Sequence, residues 1–101
     1  MHKVTYTYTH PDDVVETIKF TQEDMDFREE FLTWAHAHGL ITTETRVLDK
    51  QTIVHDALWE SAEAAQAAAQ HGGTQYAAFV NRVKNRLESS GGTYSVATAE
   101  V

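Results

Sequence analysis

The strongest constraint on what this chain can fold into is where it interrupts its own periodicity. All five glycines and the only proline fall between segments that alternate like strands or repeat like helices, at Pro11, Gly39, Gly72-Gly73 and Gly91-Gly92. Val4-Thr5-Tyr6-Thr7-Tyr8-Thr9 alternates strictly in β-branched and aromatic residues, which predicts a strand with Val4, Tyr6 and Tyr8 on one face. His10-Pro11-Asp12-Asp13 is turn chemistry, because proline fixes φ and aspartate side chains bond to nearby backbone. Val14 to Phe20 reads as a second strand, either the return arm of a hairpin or the strand that takes first place in the main sheet. Thr21 follows as a helix cap, with Asp24 as a short capping-box acid and Phe20 and Met25 placed for a hydrophobic staple. Phe27, Phe31, Trp34 and His38 then recur at helical spacing and share a face that Met25, Leu32 and Ala35 widen, until Gly39 ends the helix.

Leu40 to Asp49 and Gln51 to Trp59 predict two strands of an antiparallel hairpin that turns near Asp49-Lys50. Ser61 can cap a helix through Ala62 to Gln70, which Gly72-Gly73 interrupts. Thr74 can restart it, with Tyr76, Phe79, Val80, Val83 and Leu87 on one stripe and Arg82, Lys84 and Arg86 near the negative end of its dipole. Thr93 to Val101 reads as a last strand. With the N-terminal hairpin set aside, the order is β-α-β-β-α-β. That is a single α+β domain over residues 1–101 of ferredoxin-like arrangement, a four-stranded antiparallel sheet with both helices on one face, plus an extra N-terminal strand. The uncovered face would carry either Ile53, His55, Ala57 and Trp59 or Val54, Asp56 and Leu58. Both sets contain apolar residues, so a homodimer formed through that face is expected.

Composition narrows the function classes. A chain of 101 residues buries roughly two-thirds of its unfolded surface, so pairing with a second copy would add to a modest core. Fifteen acidic against eight basic side chains give a formal charge of -7, which argues against general affinity for nucleic acid or an anionic membrane. The absence of cysteine excludes disulfides, thiolate metal sites and thiolate nucleophiles. No apolar run approaches the roughly 20 residues of a membrane span, and Met1-His2-Lys3 leads into Thr/Tyr alternation, so a soluble cytoplasmic protein is expected.

The stretch Leu58-Trp59-Glu60-Ser61-Ala62-Glu63-Ala64, a strand ending in tryptophan followed by a capped helix, resembles the corresponding junction of the antibiotic biosynthesis monooxygenase-like family. The resemblance implies a dimeric α/β barrel in which two ferredoxin-like sheets pack face to face, and the element order matches from about Val14 to Val101. Members that oxidise aromatic substrates or open haem rely on a first-strand asparagine, the junction tryptophan and, in the haem-degrading branch, a histidine on the following helix. Trp59 matches the second of these. Neither candidate first strand contains asparagine, since Asn81 and Asn85 both lie on the second long helix, and His71 abuts the break at Gly72-Gly73. The match therefore reaches the fold and the junction tryptophan and stops short of haem degradation.

Trp59 can stack on an aromatic ligand between sheet and helices, or it can anchor the core or a dimer interface. His55 stands two residues earlier on the same strand face and is the candidate catalytic residue, a general base or donor to the same ligand. Trp34 and Tyr76 complete the ligand-binding set. No metal or other cofactor is expected: His36 and His38 diverge by about 200° on a helix, and no His-Glu-x-x-His is present. Adjacent His55 and Asp56 point to opposite faces and cannot form a dyad. Ser89-Ser90-Gly91-Gly92 lacks the lysine of a phosphate loop. Residues Asp12 to Glu30 hold eight of the fifteen acids, which reads as a solvated face or a dock for a basic partner. Three functions follow: a monooxygenase-like protein binding an aromatic or apolar organic molecule, a non-catalytic homodimeric module, and an acidic adaptor for a basic protein. Haem titration should leave the Soret band unshifted. A sharp shift at one equivalent, abolished by His71→Ala, would restore the histidine chemistry of the family.

Overall fold

The computed structural model describes residues 1–71 and 75–101, and the side chains of all of these except 71 and 75–79. In chain order the elements are β1 (His2–Thr9), α1 (Val14–Thr17), α2 (Gln22–His36), β2 (Leu40–Asp49), β3 (Thr52–Trp59), α3 (Ala62–His71), α4 (Gln75–Ser89) and β4 (Thr93–Glu100). The strands form one antiparallel sheet in the order β2-β3-β1-β4. This is the ferredoxin-like α+β arrangement expected from the element order. The interruption at Gly72-Gly73 and the restart at Thr74 fall outside the described residues.

One expected strand is absent. Val14 to Phe20 opens with the single-turn helix α1, so β1 takes first place in the sheet and there is no extra N-terminal strand. Local capping and burial outweigh the β preference of its valines. The Asp13 carboxylate accepts the Glu16 N–H at 3.2 Å, and Val14 and Ile18, four residues apart, are buried with Ile53, Val83 and Leu87. The preceding turn is held by His10, whose Nδ1 accepts the N–H groups of Asp12 and Asp13 while its Nε2 donates to the Ser90 carbonyl.

Helix α2 begins as the sequence predicts. Thr21 and Asp24 form a reciprocal capping box, Thr21 Oγ1 accepting from Asp24 N–H and the Asp24 carboxylate from Thr21 N–H. Its buried face is rotated from the expected stripe, however. Asp24, Phe31 and Ala35 are its buried residues with Arg28 half-buried between them, whereas His38 lies beyond the helix on the surface. Asp24 is also a correction to the solvated reading of the acidic run, because it is 0% exposed. Arg82 Nε donates to its Oδ1 at 2.8 Å, and Arg86 donates to its Oδ2 at 2.7 Å. Arg86 reaches further, to the Lys19 carbonyl at 2.7 Å, so one arginine fastens α4 both to α2 and to the loop before it.

Strand alternation then divides the sheet into two faces. The helices pack on the face of Val4, Tyr6, Tyr8, Ile53, His55, Ala57 and Trp59, where Trp59 joins Phe31, Ala35, Leu40 and Ala68 in the core. The open face carries Thr5, Thr7, Val54, Asp56, Leu58, Ala97 and Ala99 in register. It is more polar than expected, since Thr5 and Arg46 both donate to the Asp56 carboxylate, at 2.7 and 2.9 Å. Between sheet ends, Gly39 turns the chain at φ 106°, and a Cβ there would come within 2.9 Å of the Ala64 Cβ.

Burial tends to raise the Asp24 pKa, but the Thr21 N–H and the two arginines override it and hold the carboxyl well below the usual range. A depressed carboxylate stabilises the fold above its unfolded pKa near 4 and loses that contribution as pH falls through the folded value. Asp24→Asn should therefore cost about 3–5 kcal/mol at neutral pH, because it removes the carboxylate that Arg82 and Arg86 share and leaves only Arg82 with another, Glu23 at 3.4 Å. Urea unfolding at pH 7, 5 and 3 should show the gap between the two proteins narrowing on acidification.

Candidate functional site

The sheet, α1, the loop after it and α2 enclose two hollows that meet at the same pair of side chains, His55 and Arg28. The smaller is a recess of about 40 Å³ bounded by Tyr6, Phe31, Leu40, Ala57 and Trp59. The larger is a cleft of about 400 Å³, within the range of small-molecule sites. Its walls are mostly apolar: Val15 and Ile18 from α1, Phe20 and Met25 around the start of α2, Ile53 from β3 and Val83 from α4. Polar groups enter at few points, through His55, Arg28, Thr45, Tyr8 and Lys19.

Each wall has a local cause. The α1 turn that replaced the expected strand turns Ile18 inward and leaves Val15 exposed at the cleft. Phe20 and Met25, the residues placed for a hydrophobic staple, line the same cleft and remain 39% and 45% exposed. They give it an apolar lip that solvent reaches, an arrangement typical of surfaces that bind something.

His55 lies at the centre of the helix-facing sheet, paired across the ladder with Tyr6 on one side and Thr45 on the other. Its Nδ1 is 2.7 Å from Thr45 Oγ1, and its ring centroid is 5.9 Å from that of Tyr6. Burial, and then the positive charge of Arg28, lower its pKa below the ordinary 6.5, against an opposing pull from Asp56 behind the sheet. The imidazole is therefore neutral at pH 7 and able to accept a proton. Tyr8, at the cleft, meets Tyr94 in a tilted ring pair with centroids 5.3 Å apart. Burial pushes both phenols up, Tyr94 to about 12, so they remain protonated donors.

Of the residues singled out in the sequence, His55 and Trp59 come together at the recess. Trp34 does not join them. It lies in a separate groove on the outer side of α2 with Asp26, Glu29, Glu30 and Thr33, and it stacks on His38 at 4.2 Å. The side chains of Tyr76 and His71 are outside the described residues. Arg28, Tyr8, Thr45 and Lys19 were not anticipated; only Tyr8 had a signal, its place on the Val4-Tyr6-Tyr8 strand face. Among the described residues, no three His, Asp or Glu side chains are grouped to hold a metal ion.

A histidine held neutral by burial lowers stability in acid, because the unfolded chain takes up the proton first as pH drops below about 6.5. His55→Gln removes that uptake. Its unfolding free energy, relative to the parent protein, should improve between pH 7 and 5, and thermal melts across that range would show it; a constant difference would mean that His55 titrates normally.

No family model matches this chain, and no curated protein matches it. Solved structures do. A dimeric ferredoxin-like protein from an uncultured marine organism aligns at TM-score 0.72 and 13% identity, over 99% of this chain and 94% of that one. SnoaB, a cofactor-independent oxygenase from Streptomyces nogalater, aligns at TM-score 0.59 and 12% identity over 99% and 91% of the two chains. A putative monooxygenase from Shewanella loihica aligns at 0.56 and 15% over 99% and 92%. At such identities the likeness is one of fold, and at that level the resemblance drawn from the Trp59 junction holds: the chain has the ferredoxin-like fold shared by these oxygenase and dimeric proteins.

Proposed function

We propose that this protein binds an aromatic or otherwise apolar organic molecule in the cleft beside His55 and performs cofactor-independent, monooxygenase-like chemistry on it as a homodimer. The observation that carries this reading is a partly buried histidine at the meeting point of a small recess and an apolar cleft of about 400 Å³, where burial favours its neutral form. Thr45 engages Nδ1, so accepting a proton from a ligand falls to Nε2. A substrate with an acidic methylene or phenol would give its proton to that nitrogen and become electron-rich enough to reduce O2. For a methylene the balance is simple: two hydrogens leave carbon, one oxygen atom becomes the product carbonyl and the other departs as water. The protein's part is to position, desolvate and deprotonate. SnoaB, described as a cofactor-independent oxygenase, supports the reading through its fold.

Dimerisation would use the open sheet face. Leu58, Ala97 and Ala99 offer small apolar surfaces there, and the Asp56 carboxylate is already paired with Arg46 and hydrogen-bonded by Thr5 before anything covers it. Dimeric proteins of the same fold support this choice. Light scattering at micromolar concentration should give twice the 11.3 kDa chain mass, and Leu58→Glu should return it to one chain with unchanged circular dichroism. Oxygen uptake with acidic polycyclic phenols should be lost in His55→Ala while fluorescence shows the phenol still bound; uptake that survives the substitution would remove His55 from the reaction.

A further inference from the structure

The ion pairs of this chain leave one conspicuous gap. Arg46 pairs with Asp56, Arg82 and Arg86 with Asp24, and Lys84 with Glu88. Lys3 lies in the field of Asp56. That leaves Lys19, Arg28 and Lys50, none of which has a carboxylate within ion-pair distance among the described residues, in a protein with 15 acidic side chains. Two of the three, Lys19 and Arg28, line the same cleft. Lys19 is exposed, but Arg28 is half-buried beneath α2 at the junction of recess and cleft. A half-buried guanidinium without an anion is costly, and its planar fork suits two oxygens of one acid group.

We infer that the ligand of this cleft is an apolar organic acid, its carboxylate or equivalent acidic oxygens held by Arg28 and its hydrophobic body lying on Ile18, Phe20, Met25, Ile53 and Val83. The inference rests on the cleft being the binding site and adds the charge of what it binds. Lys19, at the exposed side of the cleft, draws the anion in against a protein that is otherwise strongly negative. Arg28 and His55 line both the recess and the cleft, so one ligand seated there meets the guanidinium and the imidazole together.

Two fluorescent probes with the same aromatic body separate charge from hydrophobicity: anilinonaphthalene sulfonate, a monoanion, and phenylnaphthylamine, which lacks the acid group. The anion should bind at one per chain and about tenfold or more tighter than the neutral probe, the scale of one charge-assisted hydrogen bond pair. Arg28→Gln should abolish that preference without weakening the neutral probe, Arg28→Lys should restore part of it, and Lys50→Gln, at an exposed lysine that does not line the cleft, should leave it unchanged. Should Arg28→Gln fail to fold, the parent protein still decides: raised salt must weaken the anion and spare the neutral probe. Equal affinity for both probes would overturn the acid assignment and leave the apolar cleft standing. Binding of neither would overturn both.

Discussion

The cleft exists because a buried carboxylate holds its walls together. Asp24 is fully enclosed, and it is affordable there only because three donors converge on it: its own helix cap at Thr21 supplies one, and Arg82 and Arg86 of α4 supply one each. Removing either arginine takes a charge-assisted donor from a buried carboxylate, and removing Asp24 leaves Arg86 without a carboxylate and Arg82 with Glu23 alone, so the members depend on one another. Its geometric effect is larger than its energy. Arg86 also binds the Lys19 carbonyl, which fixes the segment carrying Ile18, Lys19 and Phe20 against α4. The wall of the cleft is thereby tied to the same anion that joins the two long helices.

The same residue shows where the sequence can be read and where it misleads. Thr21 and Asp24 were recognisable as a capping pair, because a cap is local chemistry over four residues. That Asp24 also meets residues 58 and 62 positions away was invisible, since Arg82 and Arg86 already had a sufficient local explanation in the helix dipole. The misjudged face of α2 has the same origin. Its inward stripe runs Asp24, Arg28, Phe31, Ala35, and two polar members at its start disguise an inward face as a surface one. Helix α1 failed for another reason: four residues are too few for periodicity, so its β-branched valines spoke louder than the Asp13 cap.

Strand β3 was the most legible part, and it delivered both His55 and Trp59 to one hollow because period-2 alternation is nearly independent of context. Arg28, Lys19 and Thr45 could not be assigned the same way. Each is a polar residue on an element expected to be half solvated, and nothing in a single sequence separates a polar side chain facing water from one facing a cleft.

Alternation along β3 also couples the two faces electrostatically. His55 and Asp56 are neighbours in sequence that point to opposite sides, yet the Asp56 charge still opposes the lowering of the His55 pKa through the thickness of the sheet. That pull is weaker than it would be for a bare carboxylate, because the Thr5 hydroxyl, Arg46 and Lys3 already stabilise Asp56 and hold its pKa down. Covering the open face with a second chain would strip water from this network and strengthen every interaction in it. Arg46 and Asp56 would then have to remain paired, since an unneutralised Asp56 behind the sheet would raise the His55 pKa toward the charged form. The polar cluster on the face proposed for dimerisation therefore bears on the protonation of the histidine on the other, and the proposed pairing and the proposed chemistry meet on strand β3.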